Sequence, residues 1–130
     1  MANEIKATFN LTVQNGHFRD QVALGQTSID QAAIGRGGIT QTFTETESDF
    51  DQDGVTTEGM VFMRNVEPAG NASLEYGPQV GAGDMEPIGI LGPGEWAFFR
   101  MKPGVQLRGV AIAVGTASVT CQVDIRIYED

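Results

Sequence analysis

The chain has 130 residues, 41% of them hydrophobic, and carries 17 acidic against 8 basic residues, for a formal net charge of −9. Because nucleic-acid binders gain affinity from clustered Lys and Arg, this charge balance argues against nucleic acid and anionic membrane surfaces as partners. The length predicts a single domain over residues 1–130 that is large enough to bury a core.

The N-terminal region predicts a cytosolically synthesised chain that opens with a β-hairpin. Residues 1–6 contain neither a basic nor an apolar leader segment, and no apolar run in the chain approaches the length of a transmembrane helix. Residues 4–14 alternate strictly between apolar and polar side chains, which is typical of a half-buried strand. Asn15 and Gly16 favour a two-residue turn, and apolar residues resume after it. The pattern predicts a hairpin over residues 4–24.

The next segments predict coil, a strand, and then a strand inside a sheet. Residues 25–38 lack a clear period and contain several glycines, so we expect mostly coil. In residues 39–47, threonines at the even positions alternate with a set of odd positions that is only partly apolar. This alternation favours a strand. Residues 60–63 are apolar at both even and odd positions, as expected for a strand covered on both faces.

The C-terminal half predicts several further strands and no helix. We expect a short strand at 74–76, a flexible Gly/Pro loop at 77–83, and an aromatic strand at 96–99. Two long strands follow at 105–114 and 118–128. Eight or nine strands in all predict an all-β fold with little or no helix, either a β-sandwich of the jelly-roll kind or a small barrel. Of the two we expect the single-domain antiparallel β-sandwich.

Six acidic residues and no basic residue lie within residues 45–58, here called the acidic loop. Within it, Asp49, Asp51, Asp53 and Gly54 match the opening of a calcium loop, in which alternate carboxylates converge on a hard cation. The twelfth position is Met60, so the bidentate glutamate of an EF-hand is missing. The sequence leaves three interpretations open: calcium bound by the three aspartates outside an EF-hand, contact with a basic partner surface, or a solvated acidic tip without any ion.

Residues that could carry enzyme chemistry are scarce, so we do not expect an enzyme. The only histidine, His17, follows the predicted hairpin turn, where an exposed turn residue is expected. The only cysteine, Cys121, shares its parity with the apolar side of the last strand, which predicts an inert core thiol and excludes an internal disulfide.

The aromatic strand allows two interpretations. Trp96, Phe98 and Phe99 are assigned first to the core, because a chain with 8% aromatic residues needs its large side chains there. The alternative is a platform on which a sugar ring stacks. Arg64 and Arg100 each end an apolar run, and we expect both to pair with carboxylates.

Residues 39–130 resemble the small all-β structural proteins of tailed bacteriophages. The resemblance lies in the segments GMVFMRN at 59–65, LEYG at 74–77 and LGPGEWAFFRM at 91–101, followed by a final alternating strand. It implies a non-catalytic head decoration or cement protein, or a minor head or tail component, and it brings no catalytic or binding residues. The calcium-like motif in the acidic loop is not part of the pattern.

These observations lead to two functional hypotheses. The first is a capsid decoration protein that is synthesised in the host cytoplasm and incorporated into the virion. Its partners are then the major capsid protein or other virion subunits, with homo-oligomers in the assembly and no cofactor. The second is a carbohydrate-binding or calcium-dependent β-sandwich module.

Overall fold

The computed structural model describes residues 3–31, 36–115 and 119–130, and within them every regular element is a β-strand. Backbone contacts divide the chain into two compact units, residues 1–34 and 35–130. None of the described segments forms a helix long and apolar enough to cross a membrane. The expectation of one domain over 1–130 stays a prediction.

The first unit is a long antiparallel hairpin of β1 (Asn3–Asn15) and β2 (Phe18–Gln31). The predicted hairpin is confirmed, but its turn is displaced by one residue. Asn15 pairs with Phe18, so Gly16 and His17 are the two turn residues. Gly16 has φ +57°, which fits a two-residue hairpin turn that requires glycine at its first central position. No described residue other than glycine has a positive φ.

The coil expected over residues 25–38 is wrong for the part that β2 occupies. Strand β2 continues to Gln31 because its backbone pairs with β1 along the whole length. This pairing does not require the apolar and polar side chains of residues 25–31 to alternate. Gly25, with φ +64°, lies at a register shift opposite Phe9 and Asn10. Such an irregularity shifts the alternation and hides the strand from a periodicity argument. Residues 32–35 lie outside the described residues.

The second unit contains ten described strands. They are β3 (Arg36–Gly37), β4 (Thr40–Phe43), β5 (Ser48–Asp49), β6 (Glu58–Asn65), β7 (Ser73–Val80), β8 (Asp84–Met85), β9 (Gly89–Leu91), β10 (Trp96–Arg100), β11 (Leu107–Ile112) and β12 (Cys121–Glu129). The described strands outnumber the predicted eight or nine, since β3, β5 and β8 are two-residue strands too short to show a period. The loop expected at 77–83 is wrong in part, because β7 extends to Val80.

The ten strands form two antiparallel sheets, with the order β4-β12-β6-β10 in one and β5-β11-β7-β9 in the other. Strand β3 adds to β12 and β8 adds to β7. Successive strands from β4 to β7 alternate between the sheets, as do those from β9 to β12. This order is that of an eight-stranded jelly roll. The predicted all-β antiparallel sandwich is confirmed. Strand β6 lies inside its sheet as expected, but the expectation that both of its faces are covered is wrong, because Phe62 is only half-buried and Arg64 is exposed on the outer face.

The core lies between these two sheets. Phe43, Val61 and Ile125 from one sheet and Leu74 and Ala111 from the other are almost completely buried in one cluster. The clean alternation of β12 is confirmed, since its odd-numbered residues from 121 to 127 are fully buried. The sandwich therefore has a closed apolar interior of its own.

Candidate functional site

The carboxylates of the acidic loop contact one arginine and backbone amides. Asp49 Oδ1 accepts a hydrogen bond from Arg108 Nε at 2.9 Å, and Glu47 Oε2 accepts one from Arg108 Nη1 at 3.2 Å. Asp51 Oδ1 accepts one from the backbone N–H of Asp53 at 3.0 Å, in the manner of an Asx turn. Asp53 is exposed at the turn. These contacts explain how the loop keeps its shape.

The structure does not bring the three predicted ligands together. Across residues 3–31, 36–115 and 119–130, no group of three or more His, Cys, Asp and Glu side chains is arranged to hold a metal ion. Asp49 faces a guanidinium, and Asp51 faces a backbone amide. Calcium binding by Asp49, Asp51 and Asp53 stays a prediction.

The last acidic residue of the loop also has a structural role. Glu58 Oε2 accepts a hydrogen bond from the backbone N–H of Gly104 at 3.0 Å, and Oε1 accepts one from Gln52 Nε2 at 3.1 Å. The bond from Gly104 is the main reason that the pKa of the Glu58 carboxyl is lowered, with partial burial acting in the opposite direction. Glu58 thereby ties β6 to the loop before β11.

One buried polar residue was not singled out by the sequence. Asn65 is fully buried, and its Nδ2 donates hydrogen bonds to the carbonyls of Ala72 and Leu91, both at 3.0 Å. Its Oδ1 accepts a bond from the backbone N–H of Glu67 at 2.9 Å. The signal in the sequence is its parity, because Asn65 continues the inward row of Val61 and Met63. With every polar atom bonded, the side chain is a structural clamp.

Neither candidate for nucleophilic or acid–base chemistry lies in a reactive setting. Cys121 is fully buried, and this burial raises the pKa of its thiol to about 11, with a smaller contribution from the nearby charge of Glu67. Its assignment to the core is confirmed. His17 is an exposed turn residue, as expected.

The most distinctive surface is the outer face of the sheet formed by β10, β6 and β12. Strands β6 and β10 each present aromatic and arginine side chains on the parity opposite to their core residues. We call this surface the arginine-aromatic face, and its residues are Phe62, Arg64, Trp96, Phe98, Arg100 and Arg126.

The strand register arranges these side chains in rows. Trp96 lies opposite Arg64, and Phe98 lies opposite Phe62, which in turn lies opposite Arg126. The rings of Phe62 and Trp96 are stacked with centroids 6.5 Å apart, and the Arg126 guanidinium lies 6.0 Å from the Phe62 centroid. These contacts hold the rings in place while Trp96 remains 52% exposed.

Charge is unevenly distributed between this face and the rest of the sandwich. Residues 35–130 carry six basic and fourteen acidic residues, and three of the six basic residues lie on the arginine-aromatic face. Arg100 pairs with Asp130 at 2.6 Å, and Arg126 pairs with Asp124 at 3.3 Å. Arg64 is exposed and forms no ion pair with the described residues. The predicted pairing is confirmed for Arg100 and wrong for Arg64.

The assignment of Trp96 and Phe98 to the core is wrong, because both lie on the outer face of the sheet. Strand β10 lies at the edge of its sheet, and its inward positions are occupied by Ala97 and Phe99, which pack against the core. Phe99 stacks on Tyr76 with ring centroids 6.4 Å apart, so its core assignment is confirmed. The overlooked signal is that Trp96 and Phe98 share their parity with Arg100. An arginine in the same row indicates that the row faces solvent.

Comparison with protein-family models, curated protein sequences and solved structures gives no match for this chain. The arginine-aromatic face is therefore interpreted from its own chemistry. Arginine and aromatic residues are enriched at the centres of protein–protein interfaces, where acidic residues and lysine are depleted. An exposed indole on a flat sheet can also stack on a sugar ring.

Proposed function

We propose that this chain is a non-enzymatic structural protein of a virion, a decoration or cement subunit that binds the capsid shell. The observation that carries the proposal is the arginine-aromatic face. Jelly rolls form both viral capsid and lectin domains, so the fold is compatible with the proposal without selecting it. The resemblance of residues 39–130 to phage structural proteins gives the virion as the setting.

The arginine-aromatic face has the features of a binding surface for an acidic, partly apolar patch on a capsid protein. Trp96 supplies a large exposed ring already oriented by Phe62, so little side-chain freedom is lost on contact. Arg64 lies opposite Asp124 in the strand register but forms no ion pair with the described residues, so its guanidinium is available to a partner. The net charge of −8 on the sandwich opposes a polyanion, which favours a protein partner over nucleic acid.

The test is co-sedimentation of the chain with empty shells of the major capsid protein encoded in the same genome. We expect saturable binding that weakens at least about tenfold in Trp96→Ala, a loss typical of a central aromatic anchor. Ile90→Ala is the matched control, because Ile90 is 57% exposed on the opposite sheet, and it should bind like the original chain. Absence of binding by the original chain, or equal binding by Trp96→Ala, contradicts the proposal.

The charge contribution is tested in the same assay. Arg64→Glu should weaken shell binding and reduce its salt dependence, whereas Arg19→Glu makes the same change of net charge at an exposed residue of β2, outside the face, and should have little effect. Equal effects of the two variants would mean that only overall charge matters.

A second function, carbohydrate binding, is favoured by one observation, the 52% exposure of Trp96 beside Phe62. It predicts glycan binding by calorimetry that is lost in Trp96→Ala with an unchanged unfolding midpoint, and that is insensitive to Arg64→Glu. Loss of glycan binding on adding a chelator is the additional outcome expected of a calcium-dependent module.

A further inference from the structure

The turn between β1 and β2 contains an asparagine followed by a glycine, Asn15 and Gly16. In this sequence the other four asparagines precede glutamate, leucine, valine or alanine. The side-chain carbon Cγ of an asparagine is an electrophile that the backbone nitrogen of the next residue can attack. Glycine hinders this attack least, because it has no Cβ and adopts the widest range of backbone angles. The sequence therefore distinguishes Asn15 from the other asparagines in chemical reactivity.

The structure leaves both reacting groups accessible. Asn15 and Gly16 are exposed, and neither the Asn15 side chain nor the Gly16 N–H hydrogen-bonds to a described residue. A Cβ added to Gly16 would meet no atom within 4 Å, so there is space for the attack and for water. Asn65 differs in both respects, because it is buried and its amide is bonded at both ends. Asn71 is exposed, but its Nδ2 donates a hydrogen bond to Glu67.

The end of the hairpin can open without disrupting the core of the sandwich. Asn15 and Phe18 form the last pair before the turn, and in the described part of the chain β1 and β2 pair only with each other. An isolated two-stranded ribbon is marginally stable in water, and the ends of strands open at little cost in free energy. Transient opening of this pair allows the Asn15 amide and the Gly16 nitrogen to reach the geometry of attack.

We propose that Asn15 is a site of spontaneous covalent modification, deamidation and isomerisation, with water as the only co-reactant. The Gly16 nitrogen forms a bond to Asn15 Cγ, the bond from Cγ to Nδ2 breaks, and the side-chain nitrogen leaves as ammonia with the proton from Gly16. The product is a five-membered succinimide ring. Water then adds to either ring carbonyl and breaks the bond from that carbonyl to the Gly16 nitrogen, which leaves aspartate or isoaspartate at position 15.

The modification changes the charge and the backbone of the hairpin end. Either product adds one negative charge next to the turn. Isoaspartate also routes the main chain through the side chain and lengthens it by one methylene. The pairing of Asn15 with Phe18 is then out of register, so the turn end of the hairpin should fray in the modified chain.

The test is incubation of the full chain at mildly alkaline pH, followed by peptide mapping with mass spectrometry. We expect Asn15 to gain the mass difference between an amide and a carboxyl group at least about tenfold faster than Asn71, because the residue after Asn71 carries a Cβ. Isoaspartate should form together with aspartate, because the ring opens at either carbonyl. Asn15→Gln is the matched control, since it keeps the amide but would have to close a larger ring, and it should lose far less ammonia.

A parallel sample in urea gives the rate for the unfolded chain. The folded rate should lie within about tenfold of it, because the hairpin end opens readily. A folded rate below that range would overturn the proposal, since the turn would then hold the two groups apart. Three other results would do the same: modification of Asn15 no faster than that of Asn71, aspartate without isoaspartate, and equal loss of ammonia from Asn15→Gln.

Discussion

Strands β1 and β12 have the same alternating pattern but different surroundings. In β12, the alternate residues from Cys121 to Ile127 are fully buried, because a second sheet covers that face. In β1, Leu11 and Val13 follow an equally strict alternation and remain 41% and 37% exposed. The comparison teaches that alternation defines an apolar face without defining what covers it.

The largest expected difference between the two regions comes from the same substitution made in each. Phe43 is fully buried with its ring 5.0 Å from that of Phe50, so Phe43→Ala should lower the free energy of unfolding by about 3–5 kcal/mol. Phe18→Ala should lower it by less than about 0.5 kcal/mol, because Phe18 is 60% exposed. Chemical denaturation monitored by far-ultraviolet circular dichroism, which reports on the strands of both regions, measures both variants, and comparable losses would contradict this difference in burial.

Removing the buried clamp of the sandwich should have the next largest effect. Asn65→Ala leaves the carbonyls of Ala72 and Leu91 without their side-chain donor, at an expected cost of about 2–3 kcal/mol. Asn71→Ala is the control, because Asn71 is exposed and its side chain contacts only Glu67 among the described residues. Equal denaturation midpoints for the two variants would show that Asn65 is not a clamp.

A smaller effect is expected from the ion pairs that anchor the acidic loop. Arg108 is the most enclosed of the paired arginines, with a side chain 16% exposed, and it contacts both Glu47 and Asp49. Arg108→Met should destabilise the sandwich by about 1–2 kcal/mol. Arg100→Met breaks a surface pair with Asp130 and should cost about 0.5 kcal/mol or less. The reverse order in thermal unfolding would contradict this account of the loop.

The smallest effect concerns the pH dependence of the sandwich. Because the folded pKa of Glu58 is lowered, its contribution to stability is complete above the unfolded pKa and is lost as the pH falls through the folded value. Glu58→Gln should therefore reduce the loss of stability on acidification. Denaturation midpoints at neutral pH and at about pH 3 measure the difference, and an unchanged acid dependence would contradict the assignment.

The fold was largely predictable because β1, β6 and β12 carry strong local patterns. Features that depend on more distant structure were not. Residues 25–31 become a strand through pairing with β1, and Trp96 is exposed because β10 has Ala97 and Phe99 on its inner side. Asn65 has the parity of a core residue, and only the folded chain reveals the carbonyls that satisfy it.

The candidate site was less predictable than the fold. The three aspartates at 49, 51 and 53 attracted a metal hypothesis through their spacing. In the structure, Asp49 is directed towards Arg108, which is distant in sequence. The arginine-aromatic face joins strands β6, β10 and β12, so no single segment of the sequence contains it. Its partial signal was the repetition of an aromatic residue and an arginine on the same parity in both β6 and β10.

The most direct test of the difference between the closed sandwich and the exposed hairpin is amide hydrogen exchange of the full chain. Amides of β6 and β12 should be strongly protected, because their cover lies within the chain. Amides of β1 and β2 should exchange faster, because a two-stranded ribbon that pairs with no other described strand is marginally stable in water. Protection of the hairpin equal to that of β6 and β12 would contradict the account.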